Sequence, residues 1–317
     1  MANAINYASI FTQVIDGVVQ QRSTTQILEA QNELVRYNGG KTVNIAKIAL
    51  SGLANYSRAN GFVKGSMTLD WEPFTFSMDR GRRFDIDVMD EDEANFVPTA
   101  SVILGEFTRT QTVPEIDAYR LSKIAGKAYG MGSTNYSVDN LTADNVFDIL
   151  TGAITNSLNA GYASEELVVF LAYPIYNTLI NSAEIVKRLD VAYRTPADGI
   201  ETRFYRLNGV EIIPVMSDRM KSGYTFATGT QDGDTDDGGF TPLEGAVDVN
   251  FLVVPKRAAL AIVKHVVNKV IPPELNQTSD GYIVALRVYH DIFFPENASV
   301  GIQASFAEAP TSGSFDA

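Results

Sequence analysis

Two neighbouring stretches in the first third of the chain alternate apolar and polar residues. The first runs from Phe74 to Met78, and the second runs from Phe84 to Val88. A repeat of two residues is the pattern of a strand with one buried face. We predict a hairpin whose loop is Asp79-Arg80-Gly81, because a loop of three residues places both apolar sets on the same face.

Residues upstream of this hairpin predict a short strand and an exposed tip. Val43, Ile45 and Ile48 mark one edge of the strand, and the segment from Asn55 to Gly65 is rich in Gly, Ser and Asn. Such a composition is typical of a surface loop. Because a long hairpin is only marginally stable by itself, its apolar face is expected to need a partner.

Apolar residues at a spacing of three and four predict a helix near the N-terminus. The members of this stripe are Tyr7, Ile10, Phe11, Val14, Ile15 and Val18. A polar-faced segment follows and ends at Asn38-Gly39-Gly40, which is a strong stop signal. The stripe packs either on the chain's own core or on a neighbouring molecule, and the pattern leaves both interpretations open.

A longer helical region is predicted to begin at the acidic run from Asp90 to Glu93, which suits the positive end of a helix. Pro114 lies inside this region, and a proline in a helix interior requires a kink or a break. We therefore predict two consecutive helices. Further helices are predicted over 146–158, ended by Gly161, and from Pro174 onward.

Strand patterns complete an α+β fold class. Leu167 to Leu171 is continuously apolar, as in a strand covered on both faces, and Arg203 to Pro214 predicts a strand pair around Asn208-Gly209. The region from Phe251 to Phe306 is predicted to contain a buried strand, a short helix and a long alternating strand. The remaining residues, Ala307 to Ala317, are predicted to be loose.

Composition excludes several classes of function. The 317 residues, 45% hydrophobic and 20% charged, are an ordinary globular composition. Absence of cysteine excludes disulfides, thiolate metal sites and cysteine nucleophiles, and the formal charge of −13 argues against affinity for nucleic acid. No apolar run approaches the roughly 18 residues of a membrane span, and the N-terminus shows no leader, so we expect neither membrane insertion nor secretion.

Several short motifs occur in a specific order along most of the span from Lys41 to Phe306. They are Glu106-Phe107-x-Arg109, Val113-Pro114-Glu115-Ile116-Asp117-Ala118-Tyr119-Arg120, Leu207-Asn208-Gly209-Val210-Glu211-Ile212-Ile213-Pro214-Val215, Asp218-Arg219-Met220, Lys264-His265, Pro272-Pro273-Glu274-Leu275-Asn276-Gln277, Asp280-Gly281, Arg287-Val288-Tyr289-His290-Asp291 and Gly301-Ile302. In this order they resemble the major capsid (coat) proteins of tailed double-stranded DNA bacteriophages, whose fold is shared with encapsulins.

The resemblance implies a tailed-phage major capsid fold with four parts. In that family an N-terminal arm and an extended loop lie on adjacent subunits. The parts implied for this chain are an N-terminal arm at 1–40, an extended hairpin loop at 41–88, a peripheral domain with a long backbone helix and a sheet at 89–140 and 270–297, and an axial domain at 141–269 and 298–317.

The resemblance also implies a structural protein that is not an enzyme and needs no cofactor. Copies of the chain would assemble into pentamers and hexamers of an icosahedral capsid that encloses double-stranded DNA without sequence-specific binding. The implied partners are further copies, a separate scaffolding protein and a portal. The implied location is the virion, after assembly in the host cytoplasm and without a membrane. An encapsulin-like compartment, which holds enzymes instead of DNA, is the alternative.

Six residues are candidates for the interface between subunits: Arg58, Lys64, Trp71, Arg80, Arg82 and Arg83. The arginines near position 80 form the only dense basic cluster of the sequence, and three interpretations are open. They contact nucleic acid, they pair with Asp79, Asp85 and Asp87 nearby, or they bind the acidic surface of a neighbouring subunit. We favour the last, because arginine is enriched at interfaces and the chain is acidic.

Two motifs predict chemistry only weakly. His290 beside Asp291 resembles the base and carboxylate of a hydrolase, but no Gly-x-Ser-x-Gly motif accompanies it, so a histidine with local hydrogen bonds at a strand end is favoured. The run from Asp232 to Asp237 resembles a calcium loop, although Asp237 stands where a glycine is needed and Leu243 where a bidentate carboxylate belongs. A solvated loop is the favoured interpretation.

Overall fold

The computed structural model describes residues 23–29, 35–37, 40–58, 61–87, 100–182, 189–194, 202–229 and 238–315. Three predictions from the sequence lie outside these ranges. They concern the apolar stripe at 7–18, the acidic helix start at 90–93 and the aspartate run at 232–237.

Strands dominate the described part of the chain. They are β1 (Val35–Tyr37), β2 (Thr42–Leu50), β3 (Met67–Thr75), β4 (Met78–Asp87), β5 (Tyr136–Val138), β6 (Leu167–Ala172), β7 (Leu189–Arg194), β8 (Thr202–Leu207), β9 (Val210–Val215), β10 (Tyr224–Phe226), β11 (Phe240–Pro242), β12 (Val249–Pro255), β13 (Leu260–Ile271), β14 (Gly281–Phe293) and β15 (Gln303–Phe306). The α-helices are α1 (Ala100–Phe107), α2 (Val113–Gly130), α3 (Val146–Asn159) and α4 (Tyr173–Ile180).

A seven-stranded sheet in the order β5-β15-β12-β6-β9-β8-β7 forms the middle layer of the larger core. Val168 and Phe170 of β6 pack with residues of α2 on one side. Leu167, Val169 and Leu171 pack with residues of α3 and α4 on the other side. Coverage on both faces explains why β6 is continuously apolar, and the strand predicted there is confirmed.

A second sheet, in the order β13-β14-β4, packs against the long helical region. Val284, Leu286 and Val288 of β14 share one face and are buried together with Leu104 of α1 and Ile116 of α2. The long alternating strand predicted near the C-terminus is therefore confirmed. Its alternation over 284–288 follows from burial of the face that carries Val284, Leu286 and Val288, while Ala285 and Arg287 are more exposed.

The hairpin predicted between Phe74 and Val88 is wrong. Asp79-Arg80-Gly81 lies inside β4, and Gly81 pairs with Arg287 of β14. A Cβ atom at Gly81 would lie 2.8 Å from the carbonyl oxygen of Leu286, so glycine serves the close approach of two strands there and not a turn. Alternation predicts which face of a strand is buried, but it does not predict the partner strand.

The partner of β3 is β2, and these two strands form the hairpin that the structure contains. Residue pairs run from Thr42 opposite Thr75 to Leu50 opposite Met67. The segment from Asn55 to Gly65 is predicted to be an exposed tip, and its described residues, 55–58 and 61–65, are mostly exposed, which confirms the prediction for them.

Pro114 does not separate two independent helices. Helical backbone continues from Ala100 to Gly130, and a π-helical turn at Thr108–Thr112 joins α1 to α2. Pro114 lies directly after this π-helical turn, at the start of α2. The wider turn replaces the predicted break.

The short helix predicted between Phe251 and Phe306 is also wrong, because Leu260–Ile271 is strand β13. Its valines have a spacing that both helix and strand allow. β-branched residues favour a strand, and β14 supplies a partner along the whole of β13. The pairing extends across the boundary implied at 269/270 between axial and peripheral domains, and that domain division stays a prediction.

Residues predicted to be loose at the C-terminus are packed as far as the structure describes them. Phe315 stacks on Tyr129 of α2 with ring centroids 4.7 Å apart. The buried Ser314 donates a hydrogen bond of 2.8 Å to the carbonyl oxygen of Gly245. The segment is mostly small and polar, but its single aromatic residue, Phe315, packs against α2.

Two turns beside the seven-stranded sheet have the conformation that the sequence predicts. Asn208 and Gly209 join β8 to β9 with φ angles of 51° and 87°, the left-handed conformation that such a two-residue hairpin needs. Gly161 follows the end of α3 with a φ of 96°, as expected for a glycine after a helix C-terminus. Both predictions are confirmed.

Candidate assembly surfaces

The outer half of the β2–β3 hairpin carries large apolar side chains on one face. Directly opposed residues share a face, and Ile48 opposes Leu69 while Leu50 opposes Met67. These side chains are 53%, 52%, 70% and 71% exposed, respectively. Trp71, a predicted interface residue, lies on the same face closer to the root. We call these five residues the hairpin face.

The hairpin face is opposite to the face that the root of the hairpin buries. Val43 and Ile45 of β2 are buried at the root together with the half-buried Phe74 of β3. Their parity along the strands differs from that of Ile48 and Leu69. Because successive residues of a strand point to opposite sides, the hairpin face does not contribute to the core beneath the root.

The side of the outer hairpin opposite to the hairpin face is polar. Lys47 lies there and pairs with Glu72 at 3.3 Å and with Glu296 at 2.5 Å. Hydrogen bonds to Glu296 and then to Glu72 raise the pKa of Lys47. The hairpin is therefore amphipathic, with one side suited to water and the other to an apolar partner.

More apolar side chains lie at the hairpin tip. Leu53, Phe62 and Val63 are exposed there. The predicted interface residues Arg58 and Lys64 are exposed at the same tip. The structure therefore places two of the six candidates beside apolar side chains and a third, Trp71, on the hairpin face.

The root of the hairpin is fixed by a buried carboxylate. Ser77, between β3 and β4, donates to Oδ2 of Asp291 through its backbone nitrogen at 2.7 Å and its hydroxyl at 2.9 Å. Tyr119 of α2 donates its hydroxyl to Oδ1 of Asp291 at 2.8 Å. Burial and then the charge of Asp291 raise the pKa of Tyr119, so the hydroxyl keeps its proton and donates.

Arg80 forms its hydrogen bonds within the subunit. Its guanidinium donates to Glu115 of α2 at 2.7 Å, and to the carbonyl oxygens of Ala227 at 2.7 Å and Gly239 at 3.1 Å. These contacts join β4, the long helix and the ends of the loop that follows β10. Arg80 is therefore a structural residue of the subunit, which leaves it few donors for a neighbour.

Arg82 and Arg83 are exposed on β4. Arg83 donates to Asp85 at 2.8 Å, one of the pairs that the sequence had suggested. Asp79 instead binds Arg287 of β14, at 2.8 and 2.5 Å, and this hydrogen bonding lowers the pKa of Asp79. Of the three arginines, the two at 82 and 83 remain accessible from outside.

Comparison with solved structures finds phage structures that match most of the chain. The capsid structure of Cyanophage P-SCSP1u has a TM-score of 0.58 and 12% identity, and the match covers 85% of this chain and 84% of that chain. The mature capsid of bacteriophage PhiM1 has a TM-score of 0.52 and 10% identity, and the match covers 85% of this chain and 82% of that chain. The chain has the tailed-phage capsid fold. This confirms the fold predicted from the ordered motifs.

A further structure, from Mycobacterium phage Adephagia, has a TM-score of 0.53 at 11% identity, with 91% of both chains covered. No family model matches the sequence, and no curated protein is similar to it in sequence. Identities this low show that the capsid fold is kept while the side chains differ. The surfaces must therefore be inferred from this chain's own residues.

Sequence reasoning missed three residues of the hairpin face: Leu50, Met67 and Leu69. It placed Ile48 on the same edge as Val43 and Ile45, which is wrong, because Ile48 lies on the opposite face of β2. The four residues lie in two short stretches that alternate with a period of two. Only the observed pairing of β2 with β3 brings the two stretches together.

His290 and Asp291 do not form a base and carboxylate pair. The carboxylate of Asp291 receives Ser77 and Tyr119, and Nδ1 of His290 has no hydrogen-bond partner among the described residues. The His290 ring is 1% exposed and packs edge-on against Tyr119, with centroids 5.7 Å apart. Burial and then the charges of Arg120 and Arg80 lower the pKa of His290 to about 3.

Metal binding and membrane insertion find no support in the described residues. No group of three or more histidine, aspartate or glutamate side chains within the described ranges is placed to hold a metal ion. The run from Asp232 to Asp237 lies outside those ranges, so its solvated-loop interpretation stays a prediction. Among the described residues, no helix is both long enough and apolar enough to cross a membrane.

The buried His290 predicts a pH dependence of stability. Its pKa is about 3 in the folded chain and roughly 6.5 when unfolded, so the unfolded chain binds more protons between these values. Stability should therefore fall as the pH falls from about 6.5 toward 3, by at most about 1.4 kcal/mol per pH unit from this group. Denaturant unfolding of wild type and His290→Gln at several pH values measures the difference.

The control for this measurement is His265→Gln, at an exposed position of β13. It should leave the pH dependence of wild type unchanged, whereas His290→Gln should flatten it. An identical slope for wild type and His290→Gln would mean that His290 is not buried in its neutral form.

Proposed function

We propose that this chain is the major capsid protein of a tailed bacteriophage. Its copies associate into pentamers and hexamers, and these rings close into an icosahedral shell around double-stranded DNA. The observation that carries the proposal is the hairpin face. On a capsid fold, a projecting hairpin exposes four large apolar side chains that the described residues of its own subunit do not cover.

A second copy of the chain is the occupant that we assign to the hairpin face. Burying one large apolar side chain contributes about 1.5–3 kcal/mol, so four of them and the tip supply a substantial part of an interface. Heterologous contacts between identical subunits close into rings when the rotation permits. Because each subunit both gives and receives a hairpin, every contact is repeated around the shell.

The polar side of the hairpin supports one orientation of docking. Lys47, Thr68 and Asp70 are suited to solvent, and Ile48, Leu50, Met67 and Leu69 are suited to an apolar surface. Reversing the hairpin would bury the charge of Asp70 and remove the ion pairs of Lys47 from water, which is costly. This asymmetry would set the direction in which subunits follow one another in a ring.

Arg82 and Arg83 add two further contacts to this proposal, on opposite faces of β4, because successive residues of a strand point to opposite sides. Both are exposed, and the chain carries a formal charge of −13, so an acidic surface of a neighbouring subunit is their proposed partner. The packaged DNA, a separate scaffolding protein, a portal and assembly in the host cytoplasm complete the proposal. An acidic inner wall would keep packaged DNA from adhering to the shell.

Negative-stain microscopy combined with sedimentation of the purified chain tests the function directly. Closed shells, or rings of five and six subunits, are expected alone or after addition of the scaffolding protein. A chain that stays monomeric in both conditions contradicts the proposal. Particles that enclose a copurifying enzyme and no DNA would identify an encapsulin-like compartment instead.

The hairpin face can be tested with two neighbouring positions of β3. Leu69→Glu should lower the yield of shells by roughly tenfold or more, because a charge in an apolar contact costs about 3 kcal/mol. Subunit stability should change by less than about 0.5 kcal/mol, since Leu69 is exposed in the subunit. Thr68→Glu is the matched control, because Thr68 lies on the opposite face of the same strand. Equal loss of shells in both variants would refute a role for the hairpin face.

A charge reversal tests the arginines in the same assay. The double variant Arg82→Glu and Arg83→Glu should prevent shell formation and leave the monomer folded, because the exposed pair of Arg83 with Asp85 contributes only about 0.2–1 kcal/mol to folding. Circular dichroism verifies the fold, and sedimentation measures assembly. Normal shells would exclude these arginines from the interface.

A further inference from the structure

Residues 23–29, here called the strap, are bound to the subunit through one buried carboxylate. Asp117 of α2 is 0% exposed. It accepts hydrogen bonds of 2.7–3.2 Å from the hydroxyl groups of Ser23, Thr24 and Thr25 and from the backbone nitrogens of Thr24 and Thr25. Five donors from three consecutive residues thus converge on a single side chain.

The same carboxylate receives a donor from a third part of the molecule. Nη1 of Arg219 lies 3.1 Å from Oδ2 of Asp117. Arg219 belongs to the turn Ser217–Arg219, which follows β9 of the seven-stranded sheet. Asp117 therefore connects the strap, the long helix and the larger sheet through charge-assisted bonds, which are stronger and more directional than neutral ones.

Arg120, one helical turn along α2, extends the junction. Its side chain is 1% exposed and donates to the Thr25 hydroxyl at 3.1 Å and to Glu29 at 3.3 Å. The far end of the strap is held in a different way, because Leu28 is buried and Ile27 is partly buried in the core and Glu29 forms a backbone bridge with Ala261 of β13. At residues 23–25 the polar junction supplies the directional contacts.

We propose that Asp117 is a positioning residue for assembly, because it fixes the position and direction of the chain at Ser23, to which residues 1–22 are joined. The inference rests on the proposed function, because the direction of the chain at Ser23 matters for assembly only if subunits meet. The bond to Arg219 couples this point of the chain to the seven-stranded sheet.

Hydrogen exchange of the unassembled full-length chain tests the junction without requiring assembly. Asp117→Asn keeps the size of the side chain, but it removes the charge and turns an amide donor toward the donors of the strap. Exchange of the Thr24 and Thr25 amides should rise by roughly tenfold or more. Trypsin cleavage after Arg22, which immediately precedes the strap, should rise with it.

Asp291→Asn is the matched control, since Asp291 is also a buried carboxylate bonded to α2 through Tyr119. It should raise the exchange of Ser77 and leave Thr24 and Thr25 protected. An equal rise at the strap in both variants would indicate general destabilisation and overturn the inference. Unchanged protection in Asp117→Asn would overturn it as well.

Assembly provides the second measurement and separates the two proposals. If wild type forms shells, Asp117→Asn should form none or irregular ones at the same concentration. Regular shells from a variant whose strap has been released would refute the positioning role. If wild type never assembles, the proposed function fails, while exchange at the strap still tests the junction.

A second variant keeps the test decisive if Asp117→Asn does not fold. Thr24→Val combined with Arg219→Met removes two of the donors and leaves the carboxylate with the remaining hydrogen bonds. The strap should then exchange faster, and cleavage after Arg22 should increase, without loss of the core. An unaltered strap in this folded variant would contradict the inference.

Discussion

The ten residues of β4 pair along their whole length with β14, and this ladder determines what the preceding segment can do. Once Met78–Asp87 belongs to the sheet of β13 and β14, β3 needs another partner. The base of the β2–β3 hairpin lies between Lys41 and Phe76, whose backbone nitrogen donates to the Lys41 carbonyl at 2.9 Å. β1 pairs with β2 near this base, and among the described residues no third strand pairs with the outer half of the hairpin.

The apolar residues of this hairpin lie on one side at the root and on the other side farther out. The root residues stabilise the subunit, and the outer residues are available for contacts between subunits. At the root, Val43 and Ile45 pack on Phe293 and stabilise the subunit. Farther out, Ile48 and Leu50 are on the opposite side and remain exposed. A strand that served only its own core would keep one apolar side throughout. The outer half is therefore free to contribute its hydrophobic energy to contacts between copies.

Two buried carboxylates fix the segments that project from the core. Asp291 holds Ser77 at the hairpin root, and Asp117 holds residues 23–25 of the strap. Both are connected to α2, because Tyr119 bonds to Asp291 and Asp117 belongs to the helix itself. Burying a charge is costly and stabilises little by itself, but a fully bonded carboxylate imposes a direction that apolar packing does not impose. The long helix thus serves as a common reference for both segments.

Patterns of neighbouring residues were sufficient for the local elements of this protein. The sequence by itself determined the buried strand at 167–171, the turn at Asn208-Gly209, the alternation of β14 and the exposed tip, because each depends on local period or on backbone freedom at one residue. The order of short motifs was sufficient for the fold class. It was not sufficient for the hairpin loop near Arg80 or for β13, where two secondary structures matched the same local pattern.

Tertiary structure alone decided which strands distant in sequence pair and which apolar faces stay uncovered. The bonds between Ser77 and Asp291 join residues 214 positions apart, and those between Thr24 and Asp117 span 93 positions. Such contacts form only when separate elements meet in the folded core, so no window of the sequence contains them. The exposure of the hairpin face and the anchoring of the strap both depend on these long-range contacts, because they are set by residues that are distant in the sequence.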